Sequence, residues 1–173
     1  MDFVINEWFP EYLRPAEAKG NSELNHRLAQ DFLYNFEQKN DLLLVRNGSP
    51  FVAKILKYSD EFGDYPKSRK LFKFFIATVL ENSERCRQIY DSDLIEFSAT
   101  TKRLLELDVA EVQRKYNFYS DTYLFEAAQH TESKIIVMTT DKRLQKHMKD
   151  DADFEVCLLE VFLEKYYKIE KLH

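Results

Sequence analysis

Short apolar runs and longer stretches with helical spacing take turns along this chain. Phe3-Val4-Ile5 is closed by Asn6-Glu7, with prolines at positions 10 and 15, so a first strand is expected over residues 2–7. After Gly20-Asn21-Ser22, the residues Leu24, Leu28, Phe32 and Phe36 recur at every fourth position, which predicts a capped helix with one core-facing stripe. Leu42 to Val45 reads as a second strand ended by Asn47-Gly48. Ser49-Pro50 then opens a helix to about Asp60, with Val52, Ile55 and Leu56 inward, because proline suits the first helical position. Gly63 and Pro66 interrupt the pattern. From Ser68 onward, Leu71, Phe72, Phe75, Ile76, Val79 and Leu80 define a strongly apolar helix.

The second half continues the alternation. Gln88-Ile89-Tyr90 is a weak strand, and residues 92–115 have a helical pattern broken by Thr100-Thr101 and Asp108. Ser120 is a natural N-cap, which would put Asp121 in the first turn of a helix running through Ala127-Ala128. Ile135 to Thr140 is a short β-branched run of the kind covered on both faces, and it ends on Asp141. Phe154 to Leu159 is a last strand, and Val161, Phe162 and Tyr166 mark a terminal helix. Strands alternating with helices predict a three-layer α/β/α domain around a mostly parallel sheet. No repeat or linker divides residues 1–173, so one domain is expected.

Composition narrows the chemistry. Three glycines among 173 residues leave neither a dinucleotide fingerprint nor a P-loop. A net charge of −5 gives no overall attraction to nucleic acid, so such binding would need a local basic patch. Cys86 and Cys157 lack CxxC spacing and read as buried thiols in a reducing compartment. His26, His130, His147 and His173 have no zinc-ligand spacing, and His130 and His147 read as surface groups. No apolar run approaches about eighteen residues and no leader pattern is visible, so a cytoplasmic location without membrane contact is expected.

Two carboxylates stand out. In an open parallel sheet, ligands bind outside the carboxyl ends of the strands, and Asp141 sits there. A helix opening at the same edge brings Asp121 beside it. Mg²⁺ commonly takes one or two carboxylates, with water and substrate phosphate completing its shell. Taken singly, each aspartate also reads as a helix cap. Lys142, Arg143 and Lys146 follow Asp141 and either contact a phosphate backbone or form a solvated helix face.

The order of parts resembles the PIN-domain family of small metal-dependent nucleases. The resemblance rests on Asp121 opening a helix that contains Ala127-Ala128, on Thr139-Thr140-Asp141 at the end of the next strand, and on the final strand and helix. It implies a single PIN-like domain over residues 1–173. It also implies Mg²⁺ or Mn²⁺ held by Asp121 and Asp141, and hydrolysis of phosphodiester bonds in single-stranded or structured RNA. A toxin-like or RNA-processing role would follow, with an antitoxin-type protein or a second copy of the chain as partner. Thr139 or Thr140 would orient ligands or water.

The chain departs from that family at two places. Asn6 stands where the family has aspartate after the first strand, and the helix that usually carries a second acid offers Val52, Ala53 and Lys54. Asn6 would lend the metal a carbonyl oxygen or orient its water. Glu7 replaces the missing acid only if the strand has already ended, since in a regular strand it faces away from Asn6. These departures motivate a second expectation, a PIN-like domain that has lost catalysis and binds nucleic acid or protein. A third, a receiver-like domain, requires an acidic pair directly after the first strand, and the chain has none there.

Overall fold

A computed structural model describes residues 1–61, 66–107, 110, 118–151 and 153–169. The chain runs β1 (Asp2–Ile5), α1 (Phe9–Tyr12), α2 (Glu23–Lys39), β2 (Leu42–Arg46), α3 (Pro50–Glu61) and α4 (Pro66–Phe75), which widens into a π-type turn over Ile76–Leu80. There follow β3 (Cys86–Ile89), α5 (Ala99–Leu104), α6 (Thr122–Ala128), β4 (Ile135–Met138), α7 (Lys142–His147), β5 (Glu155–Leu158) and α8 (Leu159–Phe162), which also ends in a π-type turn. The five strands form one parallel sheet in the order β3-β2-β1-β4-β5. The domain is therefore α/β with a central parallel sheet flanked by helices. No helix among the described residues is long and apolar enough to cross a membrane.

The strand order decides where a ligand can sit. From β1 the chain steps outward to β2 and β3, then returns to place β4 on the other side of β1. Right-handed crossovers in opposite directions put the connecting helices on opposite faces of the sheet. They separate at the β1/β4 boundary and leave a crevice beyond the carboxyl ends of those two strands. A receiver-like sheet has a different order, so that expectation falls.

Aromatic burial fixes the sheet to its helices. Phe3 in β1 meets Phe32 and Phe36 of α2 edge-on, at 5.7 and 5.9 Å, and Phe162 of α8 at 4.8 Å. Helix α6 packs on β1, β2 and β4, burying Tyr123, Leu124, Phe125, Ala127 and Ala128. Both cysteines lie buried in strands, where burial pushes their thiols up to about 11 (Cys86) and about 12 (Cys157), as expected of inert thiols.

Several sequence expectations shift by a residue or a face. β1 ends at Ile5 instead of residue 7, because the Asn6 carbonyl accepts from the Phe9 N–H and turns the chain into α1. Leu24 is 49% exposed: a strict four-residue repeat drifts about 40° per step around a 3.6-residue helix, so only Leu28, Phe32 and Phe36 stay inward. In α3 the buried face is Phe51, Ile55 and Tyr58, which leaves Leu56 65% exposed. The weak strand starts earlier than expected, at Cys86. Of residues 92–115, only Ala99–Leu104 forms an α-helix among the described residues. Gly63, Asp108 and His173 lie outside the described residues.

Candidate functional site

The crevice at the β1/β4 boundary holds a cavity of about 410 Å³, lined by Asn6, Trp8, Asp121, Met138, Thr140, Asp141, Lys142 and Arg143. Six of the residues expected there, Asn6, Asp121, Thr140, Asp141, Lys142 and Arg143, thus line one cavity. Lys146 does not: it lines a separate cavity with Phe154 and Glu155. His147 is turned away as well, with Nε2 2.6 Å from the Leu104 carbonyl and its ring 4.9 Å from that of Phe118. His130 and His147 are both half-buried, and His130 carries a buried Nε2 with no partner among the described residues.

Asp121 departs from its expected place in a revealing way. The N-cap of α6 is Asp121 itself, preceded by a tight 3₁₀ turn over Tyr119–Asp121, and Ser120 does not cap. The Asp121 side chain caps nothing and accepts no hydrogen bond among the described residues. Partial burial, the Glu7 carboxylate and the Asp141 carboxylate together push its pKa up to about 7, and Arg143 opposes them only in part. An acid so placed is costly to the fold unless a proton or a cation joins it.

Asp141 has two roles on one oxygen. Its Oδ1 accepts from the Arg143 and Leu144 N–H groups at 2.8 and 3.1 Å, capping α7, and lies 3.5 Å from Arg143 Nε. Its Oδ2 makes no bond among the described residues. The cap expected from sequence is therefore present, and it leaves an oxygen over.

Glu7 reaches the site because β1 stops short. The Tyr123 hydroxyl donates to Glu7 Oε2 and accepts from the Glu7 N–H at 3.2 Å, so α6 anchors this acid beside Asp121. The charge of Glu7 acts on Asp121, but its side chain is held on Tyr123. Accordingly, no three acid, histidine or cysteine side chains among the described residues are arranged to hold an ion.

Asn6 corrects a further expectation. It is 1% exposed, and its Oδ1 accepts from the Thr139 N–H at 3.1 Å and from Thr139 Oγ1 at 3.0 Å. The backbone N–H can only donate, which fixes the amide with its oxygen inward on Thr139. The carbonyl is thus unavailable to a metal, and Nδ2 is left as a buried donor with no partner among the described residues. Thr139 serves Asn6, while Thr140 lines the cavity.

Two further residues stand here that the sequence did not assign to the site. Trp8, 41% exposed, forms a cavity wall, and Lys54 of α3 places Nζ 3.1 Å from its ring centroid and 3.3 Å from Glu11 Oε1. A lone tryptophan just beyond a strand end was the available signal.

The donor set fits a divalent cation only in its least demanding form. Asp121 with both oxygens open and Asp141 with Oδ2 open match the one or two carboxylates that Mg²⁺ or Mn²⁺ takes when water and phosphate supply the rest. A closed all-protein cage is not built here. No family model, curated protein or solved structure matches the chain.

Proposed function

We propose that this chain is a PIN-like domain acting as a divalent-metal-dependent ribonuclease with a reduced acidic centre. The observation that carries the reading is Asp121: a partly buried, unbonded carboxylate at the topological switch point, with its pKa raised to about 7 by burial and by Glu7 and Asp141. Perturbed acids of this kind gather at functional sites, and a structural acid would have been given a partner.

In this reading Asp121 and Asp141 Oδ2 hold Mg²⁺ or Mn²⁺. A cation bound there supplies Lewis-acid polarisation of a phosphoryl oxygen and a more acidic water. Glu7, fixed by Tyr123, adds negative charge that raises the demand for the cation. Asn6 Nδ2 donates toward a substrate oxygen, while Lys142 and Arg143 face the flanking phosphates. Trp8 offers an apolar wall for a base. The expected result is Mn²⁺-dependent cleavage of single-stranded RNA that disappears in Asp141→Asn. Wild-type protein that leaves several RNAs intact with millimolar Mn²⁺ would sink the reading.

A second reading, a binding module without catalysis, draws on the Asn6 amide, which presents an N–H where an acid oxygen would be needed, and on Lys54 near the place of the missing second acid. Calorimetry separates the two. Heat on Mn²⁺ addition that is lost in Asp121→Ala favours the nuclease, and RNA binding without any metal heat favours the module.

A further inference from the structure

We infer that the cavity between the β2–α3 turn and residues 119–123 is a subsite for a phosphodiester of a nucleic-acid strand. It measures about 260 Å³, and Arg46, Gly48, Ser49, Tyr119, Thr122 and Glu126 stand around it. The subsite extends the nucleic-acid reading above but uses neither the acidic cavity nor a metal.

Helix α3 opens onto this cavity. Pro50 has no N–H, and the first bond of the helix runs from the Ala53 N–H to the Ser49 carbonyl at 3.1 Å. The Phe51 and Val52 amides therefore have no acceptor within the helix, and they carry its positive dipole end. A serine before a helix normally accepts from one of these amides. Ser49 does not: the residue is 4% exposed, lines the cavity, and its Oγ makes no hydrogen bond among the described residues. On the facing wall, Thr122 Oγ1 is likewise buried and unpartnered. Two hydroxyls without a partner among the described residues thus line one space, at the helix end where two amides lack an acceptor within the helix. A hydroxyl turns about a single bond, so both can meet an oxyanion placed between them.

The surrounding charge selects the kind of anion. Arg46 is neutralised by Glu126, at 3.0 Å, and by Asp91. Since Glu126 lines the same cavity, a dianionic phosphate meets its repulsion, whereas a singly charged diester is carried by the helix dipole and the two hydroxyls. Position agrees with this choice. Asp121 lines the acidic cavity and Thr122, the next residue, lines this one, so the short segment 119–123 separates the two. A strand crossing it would place one phosphate at the carboxylates and a neighbouring one at Ser49.

The test is a nitrogen-15 correlation spectrum of the full chain in EDTA, titrated in separate arms with a single-stranded RNA oligomer, inorganic phosphate and an oligomer with uncharged methylphosphonate linkages. The RNA should shift the Ser49, Phe51 and Val52 amides, inorganic phosphate should do so more weakly, and the uncharged oligomer should not. Thr122→Val and Ser49→Ala should each weaken RNA binding several-fold. Ser49→Asp supplies the missing cap together with a negative charge, so it should keep the fold and remove the shifts. RNA that leaves these amides unmoved, or that binds the folded variants as tightly as wild type, overturns the subsite. Absent cleavage with the shifts intact counts instead against the nuclease reading.

Discussion

The two ends of the same parallel sheet treat buried charge in opposite ways. At the amino end, where β2 and β3 begin, Arg85 is buried and donates to the carbonyls of Asp41 (2.9 Å), Glu37 (3.3 Å) and Phe36 and to Asn40 Oδ1 (3.1 Å), with its guanidinium over the Phe36 ring. The buried Asp41 carboxylate accepts from the Tyr167 hydroxyl at 2.8 Å. At the carboxyl end, among the described residues, Asp121 accepts nothing, Asn6 Nδ2 donates to nothing, and Asp141 accepts through one oxygen only. Burial without a partner weakens a fold, and among the described residues three of the six buried side-chain atoms without one, on Asn6, Ser49 and Thr122, belong to this crevice and its neighbouring turn. The amino end is built to hold the sheet together. The carboxyl end is where we propose that a ligand binds.

Removing a partner at the amino end gives the largest expected effect. Arg85→Met leaves several buried carbonyls without a donor, so unfolding in urea should lose about 3–4 kcal/mol of stability. A loss under about 1 kcal/mol would mean that water replaces the guanidinium, and the contrast between the ends would collapse.

The same surgery at the carboxyl end should act in reverse. Asp121→Asn removes a charge that the fold disfavours, and at pH 8 in EDTA it should stabilise the protein by about 1–2 kcal/mol, the full shift being discounted for the open cavity. The pH dependence follows from the same pKa. With 3.8 for the unfolded chain and about 7 when folded, the protonated acid favours the native state below pH 4, and that contribution is lost as pH rises through 7. Wild type should therefore lose stability between pH 4 and 7, and Asp121→Asn should flatten this slope. An unchanged slope would show that Asp121 already has a partner in solution.

Most of the scaffold was legible because it obeys local rules. Ser22 caps α2 through the Asn25 N–H, Asp141 caps α7, and Ile135–Met138 is a fully buried strand. The site was half legible. Asp121 and Asp141 were visible because each lies where a strand or helix changes direction. Glu7 was legible only as a conditional candidate, because its place depends on whether β1 stops at residue 5 or 7, and a strand that ends early sends its next side chains elsewhere. The role of the Asn6 amide was hidden for a different reason. Its orientation is set by the Thr139 N–H, a contact between residues 133 positions apart that no sequence spacing reveals.

Asn6→Asp tests how far the carboxyl end is short of a full acidic centre. The new carboxylate keeps an oxygen for Thr139 and replaces an unpartnered donor with a further negative charge beside Asp121, Asp141 and Glu7. Metal-free protein should lose stability, while Mn²⁺ affinity measured by calorimetry should rise about tenfold, since ligand charge count tunes such sites. Unchanged affinity would mean that this position does not reach the ion.

The smallest effect is expected from an acid at the amino end, and its value lies in its sign. Burial opposes ionisation of Asp2, but the Glu132 and Ser133 amides, donating at 2.8 and 3.1 Å, hold its carboxyl below the usual 3.8. A lowered acid contributes stability above its unfolded pKa and loses it as pH falls through the folded one. Asp2→Asn should therefore cost on the order of 0.5 kcal/mol at pH 7, little for a partly exposed group, and nothing near pH 2. Asp121→Asn should do the opposite at neutral pH. Urea titrations of the two variants across pH 2–8 thus read the two ends with one measurement. If both substitutions shift stability in the same direction at pH 7, the ends do not differ in kind, and the carboxyl-end crevice loses its claim to be a site.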